Sequence, residues 1–449
     1  MPSGGLRMAN TTPIYLEEFK ALHPADLADR LQRMSTDEAR HILTELPVEE
    51  ASAALAELDD EWISTLLEGF PQSKLVPLLN EMYAEEAADV LGEMPEIDQA
   101  RLLHKMDKDE AKAARDLLKY PEDTAGGIMN DRFVTLRSHH TVGEAQRRIR
   151  RKHREQSPTD INYLFVTDKD EKLVGIVSIR DLIFSDDEVK ITDLMNREVK
   201  YVRVTDDQEE VVRRFEKYHF LGLPVLEEEG RLVGVIRSDD ALTVAIEEQT
   251  EDMQKMVGLS GEERALTPWK QSFGRRLPWL CVNLLTACLA GAVVGFYQDT
   301  VTQFAVLAIF LPVIAGQGGN AGMQTVTIII RDMALGELSP GDGRKALLKE
   351  LLLGLLIGLI IGLIVGVVGY LIGPIFSTDA DIGWKLGLVA GSAMLLNLVT
   401  AAMFGVLIPF ALKFFRLDPA LASSILITTV TDVGGFFFLL ALASWILIG

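Results

Sequence analysis

Asp432 lies about eleven residues into the last expected membrane span, and is the single charge of the C-terminal run Pro419–Gly449. At a helical rise this is ~16 Å deep, near the middle of a ~30 Å hydrocarbon core. A carboxylate there is costly unless it faces water, a cation or a partner, so the position implies an ion pathway. Thr428, Thr429 and Thr431 precede it with hydroxyl oxygens, and Gly434 and Gly435 follow, permitting close helix approach. A second polar segment, Pro312 to Gln324, interrupts another uncharged run. Its proline, its glycines at 316, 318, 319 and 322, and the amides of Gln317, Asn320 and Gln324 predict a helix broken near mid-membrane. Freed carbonyls would then face a wet cavity. Asn397, a lone amide in a further apolar run, reads as an interhelical hydrogen bond rather than a pore lining.

One carboxylate with amides, hydroxyls and carbonyls is a hard-oxygen set. All seven histidines lie at or before His219, and no Met–Cys cluster accompanies Asp432. Soft and nitrogen-loving metals are therefore disfavoured. Mg²⁺ keeps several waters and takes few protein ligands, so one Asp, doubled in a symmetric dimer, suits it. Spacing alone leaves Mn²⁺ and Co²⁺ open.

The elements that must position these residues divide the chain in two. Of 449 residues, 44 are Lys or Arg and 65 are Asp or Glu, a net charge of −21. From Gln271 onward nine basic and nine acidic residues cancel, so the whole excess lies before it. This acidity disfavours a nucleic-acid partner. The second part carries uncharged runs at Leu277–Gln298, Thr300–Ile330, Leu351–Thr378 and Leu386–Leu412, then Pro419–Gly449, where Asp432 is the single charge. Five membrane spans in a lipid bilayer are expected. Eight Lys and Arg residues fall on one side of these spans (275, 276, 331, 344, 345, 349, 413 and 416) and only Lys385 on the other. The basic side faces the cytoplasm. The acidic part is then cytoplasmic, the C-terminus is outside, and the protein is a multi-pass one of the plasma (inner) membrane. Cys281 and Cys288 form no disulfide framework or CxxC motif. Met1–Asn10 has one Arg and no apolar core, which does not fit a signal peptide. No nucleophile–base pair and no Walker-type loop appear, so an enzyme or a nucleotide-driven pump is not expected.

Residues 1–15 are expected to be a disordered start, and 16–122 a stack of short amphipathic helices. Ala39, Ile42, Leu43 and Leu46 recur at helical spacing, as do Ala87, Val90, Leu91 and Met94. Ser35 and Glu38 form a capping box. Pro24, Pro47, Pro71 and Pro95 recur every 23 or 24 residues, which predicts a helical solenoid.

From 123 the runs become short and β-branched. Tyr163–Asp168 and Leu173–Ser178 predict strands, and Leu223–Leu226 and Leu232–Ile236 repeat them at an offset of 59. Met129-Asn130 and Met195-Asn196 open the two copies. This tandem pattern resembles a pair of CBS domains, at 123–187 and 188–245. The resemblance implies a regulatory module and an adenosine nucleotide such as ATP, whose contacts would fall on Tyr163, Arg180 and Asp181. Residues 246–272 then form a connecting (plug) segment, with a helix expected from Ala241 to Gly258, and 273–449 form the five-helix pore domain.

Taken together, FLPVIAGQGGNAGMQ (310–324), DPALAS (418–423) and TTVTDVGG (428–435) resemble the MgtE family of magnesium channels and transporters. The fold class implied is multidomain: an all-α helical-repeat N domain, an α/β CBS pair and an α-helical membrane domain. The resemblance implies a homodimer with the pore on its two-fold axis, lined by the second and fifth spans. It places pathway residues at Asp432, Asn320, Gly316, Gly319 and Gly435. Ser424 stands where some relatives carry Asn. It also implies that cytosolic Mg²⁺ closes the pore through ligands at Glu85, Asp89, Gly127, Glu209, Asp240, Glu248, Glu251 and Asp252. Thr243 and His219 stand where relatives can have Asp. Apposed carboxylates repel in the absence of a cation, and divalent ions between them favour the compact form. Two alternatives remain: the same architecture selective for Co²⁺ or Mn²⁺, and a CBS-regulated membrane receptor whose spans only anchor.

Overall fold

The computed structural model describes residues 12–156, 163–259, 261, 263–265, 267, 269–376, 381–421 and 423–448. It divides into two compact units, Met1–Ala245 and Ile246–Gly449.

The first unit begins with nine short helices: α1 (Thr12–Lys20), α2 (Pro24–Gln32), α3 (Thr36–Glu45), α4 (Val48–Ala56), α5 (Asp60–Leu67), α6 (Gln72–Glu81), α7 (Ala84–Gly92), α8 (Glu96–Lys105) and α9 (Lys108–Leu117). Of the start expected to be disordered, residues 1–11 lie outside the described residues. From Thr12 it is helical, since Pro13 is tolerated in a first turn. The repeating prolines begin or cap α2, α4, α6 and α8. Proline lacks an N–H that a first turn would leave unbonded anyway. From α2 to α7 each helix packs on the second helix after it, as α2 on α4, α3 on α5 and α4 on α6, which is the solenoid the spacing predicts. The core is its inner stripe, including Leu31, Leu43, Leu55, Leu66, Leu79 and Leu91. Ser35 and Glu38 close both bonds of the capping box.

Two small sheets follow. In the first, β1 (Thr135–Arg137) is parallel to β2 (Tyr163–Thr167), which is antiparallel to β3 (Leu173–Ser178). In the second, β4 (Val202–Arg203), β5 (Gly222–Leu226) and β6 (Leu232–Arg237) repeat the arrangement. The parallel strands β1 and β4 escape sequence detection because they are too short to show alternation. The opening segments are exchanged between copies. Asn130 bonds Val235 of the second sheet through both backbone groups, and Asn196 does the same with Ile176 of the first. This explains the paired glycines. A Cβ on Gly234 would lie 2.5 Å from the sulfur of Met129, and one on Gly175 would lie 2.7 Å from the sulfur of Met195.

Helices α10 (Val142–Gln156), α11 (Ile179–Phe184), α12 (Ile191–Leu194) and α13 (Gln208–Tyr218) cover these sheets. His219 ends α13 in the left-handed region (φ 52°), a role open to a short polar or imidazole side chain. The connecting helix α14 runs Ser238–Met256, ~28 Å at a helical rise. Gly258 is at φ 80°, so the remainder of 246–272 is not one helix.

The second unit contains α15 (Trp269–Phe296), α16 (Gln298–Gln303), α17 (Leu307–Ala334), α18 (Gly343–Phe376), α19 (Ile382–Phe414) and α20 (Ser423–Ala443). Four segments are long and apolar enough to cross a membrane: Trp269–Phe296, Gly343–Phe376, Ile382–Phe414 and Ser423–Ile448. The remaining expected span, α17, second in chain order, has 28 residues, but its glycines and amides dilute its apolar character. The expected break within it is absent. α17 is continuous through Pro312–Gln324, and Gly318 and Gly322 are used in close packing rather than to release the backbone. Pro312 lies early in the helix, where few carbonyls precede it.

Helices α18 and α19 meet along glycines 362, 366, 369 and 373 against 383, 387 and 391. A Cβ on Gly387 would lie 2.5 Å from the carbonyl oxygen of Gly366. Gly387→Ala should therefore lower the thermal midpoint of the detergent-solubilised protein, by the equivalent of about 1–3 kcal/mol. Gly291→Ala, with nothing within 4 Å of the new carbon, should leave it unchanged.

Candidate functional site

Asp432 is the tenth of the 21 residues of α20. It is half-buried, and among the described residues it has no hydrogen bond and no ion pair. Ser424 and Thr428 precede it at four-residue steps, so the three share one helical face. The threonine hydroxyls point back along the helix. Thr428 Oγ1 donates to the carbonyl of Ser424 (2.8 Å), Thr429 Oγ1 to that of Ile425 (2.6 Å) and Thr431 Oγ1 to that of Ile427 (3.0 Å). Thr428 and Thr429 keep acceptor lone pairs at a half-buried surface, whereas Thr431 is fully buried and serves packing.

Helix α17 lies antiparallel beside α20. A Cβ on Gly319 would sit 3.6 Å from Cγ2 of Thr428, and one on Gly435 2.9 Å from Cγ2 of Ile314. Gly318 is closed off by Thr431 and Asn397, and Gly322 by Ile427. Gly316 has open space around it. Gly316, Gln317, Asn320, Gln324 and Thr327 are all exposed, forming a polar stripe along α17. The structure thus sets two oxygen-bearing faces on neighbouring helices, with Asp432 as the only carboxylate on them. Asn397 forms the interhelical bond expected of it, donating from Nδ2 to the carbonyl of Ile314 at 2.9 Å.

In the first unit, Glu85 of α7 accepts from Asn130 Nδ2 (2.7 Å) and from Arg132, which also stacks on Tyr83 at 3.1 Å. Its second oxygen, Oε2, is buried with no hydrogen-bond partner among the described residues. One turn on is Asp89, which reaches solvent along one edge. Desolvation, then the like charges of Asp60, Glu85, Glu122 and Glu86, push its carboxyl up to about 7. Desolvation also raises Glu86. Crowded carboxylates and an orphaned buried oxygen thus lie together here, although among the described residues no three His, Cys, Asp or Glu side chains converge as a metal site. Gly127 packs on the loop that carries Glu122, where a Cβ would strike Pro121 and Glu122.

Three family models cover most of the chain. The divalent cation transporter model matches residues 311–442, the MgtE intracellular N domain 22–123, and the CBS domain 125–187 and 191–247. The magnesium transporter MgtE of Thermus thermophilus is 33% identical over 441 residues, 96% of this chain and 94% of its own length. That of Bacillus subtilis is 31% identical over 412 residues, 92% of this chain and 89% of its own. This chain belongs to the MgtE family. A solved cytosolic domain of the Mg²⁺ channel MgtE in complex with ATP is 34% identical to it, with a TM-score of 0.48, and the match spans 51% of this chain and 93% of that one. MgtE relatives are transporters, not enzymes.

Within this MgtE-family chain the remaining expected ligands stand apart. Asp240 is gripped by Arg237 through Nε (3.1 Å) and a terminal nitrogen (2.8 Å), and Glu209 pairs with Arg213 at 2.5 Å. Glu251 pairs with Lys255, which also reaches Asp418 at 2.9 Å. Glu248 and Asp252 are half-buried on α14. Among the described residues no three His, Cys, Asp or Glu side chains converge as a metal site. Of the expected nucleotide contacts, Tyr163 is half-buried on β2, Arg180 is exposed, and Asp181 accepts from Ser178 Oγ (2.7 Å) at the start of α11.

Sequence reasoning missed Asp60 and Glu122 beside Asp89, because they come from a different repeat and from a loop. It also placed no charge other than Asp432 inside a span. Glu350 corrects this. Helix α18 begins before the uncharged run, and Glu350 is buried in it, accepting from Thr325 Oγ1 at 3.0 Å and pairing with Lys349 at 2.8 Å.

Asp89 binds a proton in the fold that the unfolded chain releases, so its contribution to stability is greatest at acid pH and declines from about pH 4 to about 7. In chelator, resistance of the α5–α9 region to proteolysis should fall between pH 5 and 7.5, and Asp89→Asn should remove that slope.

Proposed function

We propose that this protein is a homodimeric channel-like importer that passes Mg²⁺ down its electrochemical gradient. The supporting observation is Asp432, a mid-helix carboxylate with no partner from the described residues of its own chain, next to the polar stripe of α17. Two such faces across a two-fold axis would present two carboxylates and the Asn320 amides to one hydrated ion, the coordination Mg²⁺ prefers. α17 then serves as the second of five spans, its polar stripe facing water rather than lipid. In this reading the first unit is cytoplasmic and the C-terminus outside, in the plasma (inner) membrane, which the bias of Lys and Arg toward one set of loops supports.

In this reading Mg²⁺ also regulates. Glu85 and Asp89, with Gly127 and the unpredicted Glu122 and Asp60 nearby, would hold ions on the N domain. Glu209, Asp240, Glu248, Glu251 and Asp252 would hold others on the CBS pair and α14. High internal Mg²⁺ favours the compact, closed form through its higher affinity for that form. An adenosine nucleotide at Tyr163, Arg180 and Asp181 would tune this response.

Mg²⁺ flux into proteoliposomes tests the pathway, with Co²⁺ and Mn²⁺ in parallel. Asp432→Ala should reduce flux to background and Asp432→Asn should impair it strongly, with the protein still folded. Wild-type flux in both would remove Asp432 from the mechanism. Flux of Co²⁺ or Mn²⁺ but not Mg²⁺ would change the ion, and no flux of any cation would favour a receptor. For gating, neutralising Glu248, Glu251 and Asp252 together should leave flux high at internal Mg²⁺ concentrations that silence the wild type.

A further inference from the structure

Asn397 sits mid-way along α19 and is completely buried. It belongs to neither helix that carries the pathway residues, yet it touches both. Its Nδ2 donates to the carbonyl of Ile314 on α17 at 2.9 Å. The same nitrogen fills the space beside Gly318, and a Cβ on Gly435 of α20 would lie 2.8 Å from it. Its Oδ1 faces Gly434, where a Cβ would lie 3.9 Å away. Among the described residues no donor reaches that oxygen.

A side chain needed only for volume would not leave a polar atom orphaned in an apolar bundle, because the lost hydration is not recovered. What an amide adds over an apolar side chain of similar size is a bond of fixed length and direction. Here that bond anchors α17 at Ile314, and the flat amide then spans to the glycine pair of α20. Gly318 lies two residues before Asn320, and Gly434 lies two residues after Asp432. We propose that Asn397 is a positioning residue of the ion pathway, setting the separation between the Gly316–Asn320 turn of α17 and the Thr431–Gly435 turn of α20. This rests on the pathway reading given above.

The test joins a distance readout to a transport readout. In full-length protein with Cys281→Ser and Cys288→Ser, the pair Gly319→Cys and Thr428→Cys should cross-link readily. The two side chains would start in van der Waals contact, close to the span a disulfide needs. Adding Asn397→Leu should slow cross-linking at least tenfold. In the native-cysteine background, Asn397→Leu should shift the Mg²⁺:Mn²⁺ flux ratio at least fivefold, or the half-saturating Mg²⁺ concentration by as much. Asn397→Ala serves if the leucine variant fails to fold, and Gly435→Ala, which would displace the amide, should reproduce the effect. Wild-type cross-linking in a folded variant would overturn the proposal. Altered cross-linking with unchanged selectivity and half-saturation would also overturn it, reducing Asn397 to a packing residue. Flux surviving Asp432→Ala would sink the pathway reading separately, because the cross-linking arm does not depend on transport.

Discussion

A polar path through an apolar bundle requires that the helices carrying it be held close without burying the polar groups they present. In this protein that separation is set by glycine. At Gly318, Gly322 and Gly435 a single added carbon would meet Asn397, Ile427 or Ile314. At Gly405 of α19 it would lie 2.7 Å from Cβ of Thr325 on α17. With the glycine edges of α17 turned inward, its amides are turned outward, and the open stripe from Gly316 to Thr327 results. The same constraint gives Asp432 its half-buried place. The neighbouring Thr431 is consumed by packing, whereas the face shared with Ser424 and Thr428 is left open.

The outer helices use the same device for a different end. Between α18 and α19 the glycines bring backbone against backbone, and α18 turns Leu355, Ile360, Leu363 and Leu371 outward, as a lipid-facing surface would. Hydrophobic attraction between helices is weak in lipid, so close packing and hydrogen bonds must supply cohesion. Thr325 to Glu350 and Asn397 to Ile314 are two such bonds, and both end on α17. That helix, rich in glycines and amides, is thereby tied to both α18 and α19.

The first unit is organised by the opposite problem. Its acidic charge must be held apart or neutralised. Arg132 and Arg237 do part of this from within, each fastened to a carboxylate expected to bind metal. Around Asp89, desolvation together with the like charges of Asp60, Glu85, Glu122 and Glu86 raises the carboxyl to about 7, and beside it one oxygen of Glu85 has no hydrogen-bond partner among the described residues.

Periodicity and composition by themselves determined the modular plan. The proline repeat implied the solenoid, since a helix pair of that length cannot bury its face alone. The 59-residue offset implied the twin sheets, and the charge-free runs implied the membrane unit with Asp432 inside it. These are local properties, carried by spacing along the chain. The short strands β1 and β4 were not legible, because they exist only through pairing with β2 and β5. Nor was the continuity of α17. Glycine and proline in a row predict a break when only local backbone preference is weighed, and only the neighbouring helices show that Gly318 and Gly322 are contacts. The burial of Glu350, the company of Asp60 and Glu122 around Asp89, and the bridge made by Asn397 were likewise decided by tertiary structure. Each depends on residues far apart in sequence, and a lone amide or carboxylate carries no local mark of which helix it will meet.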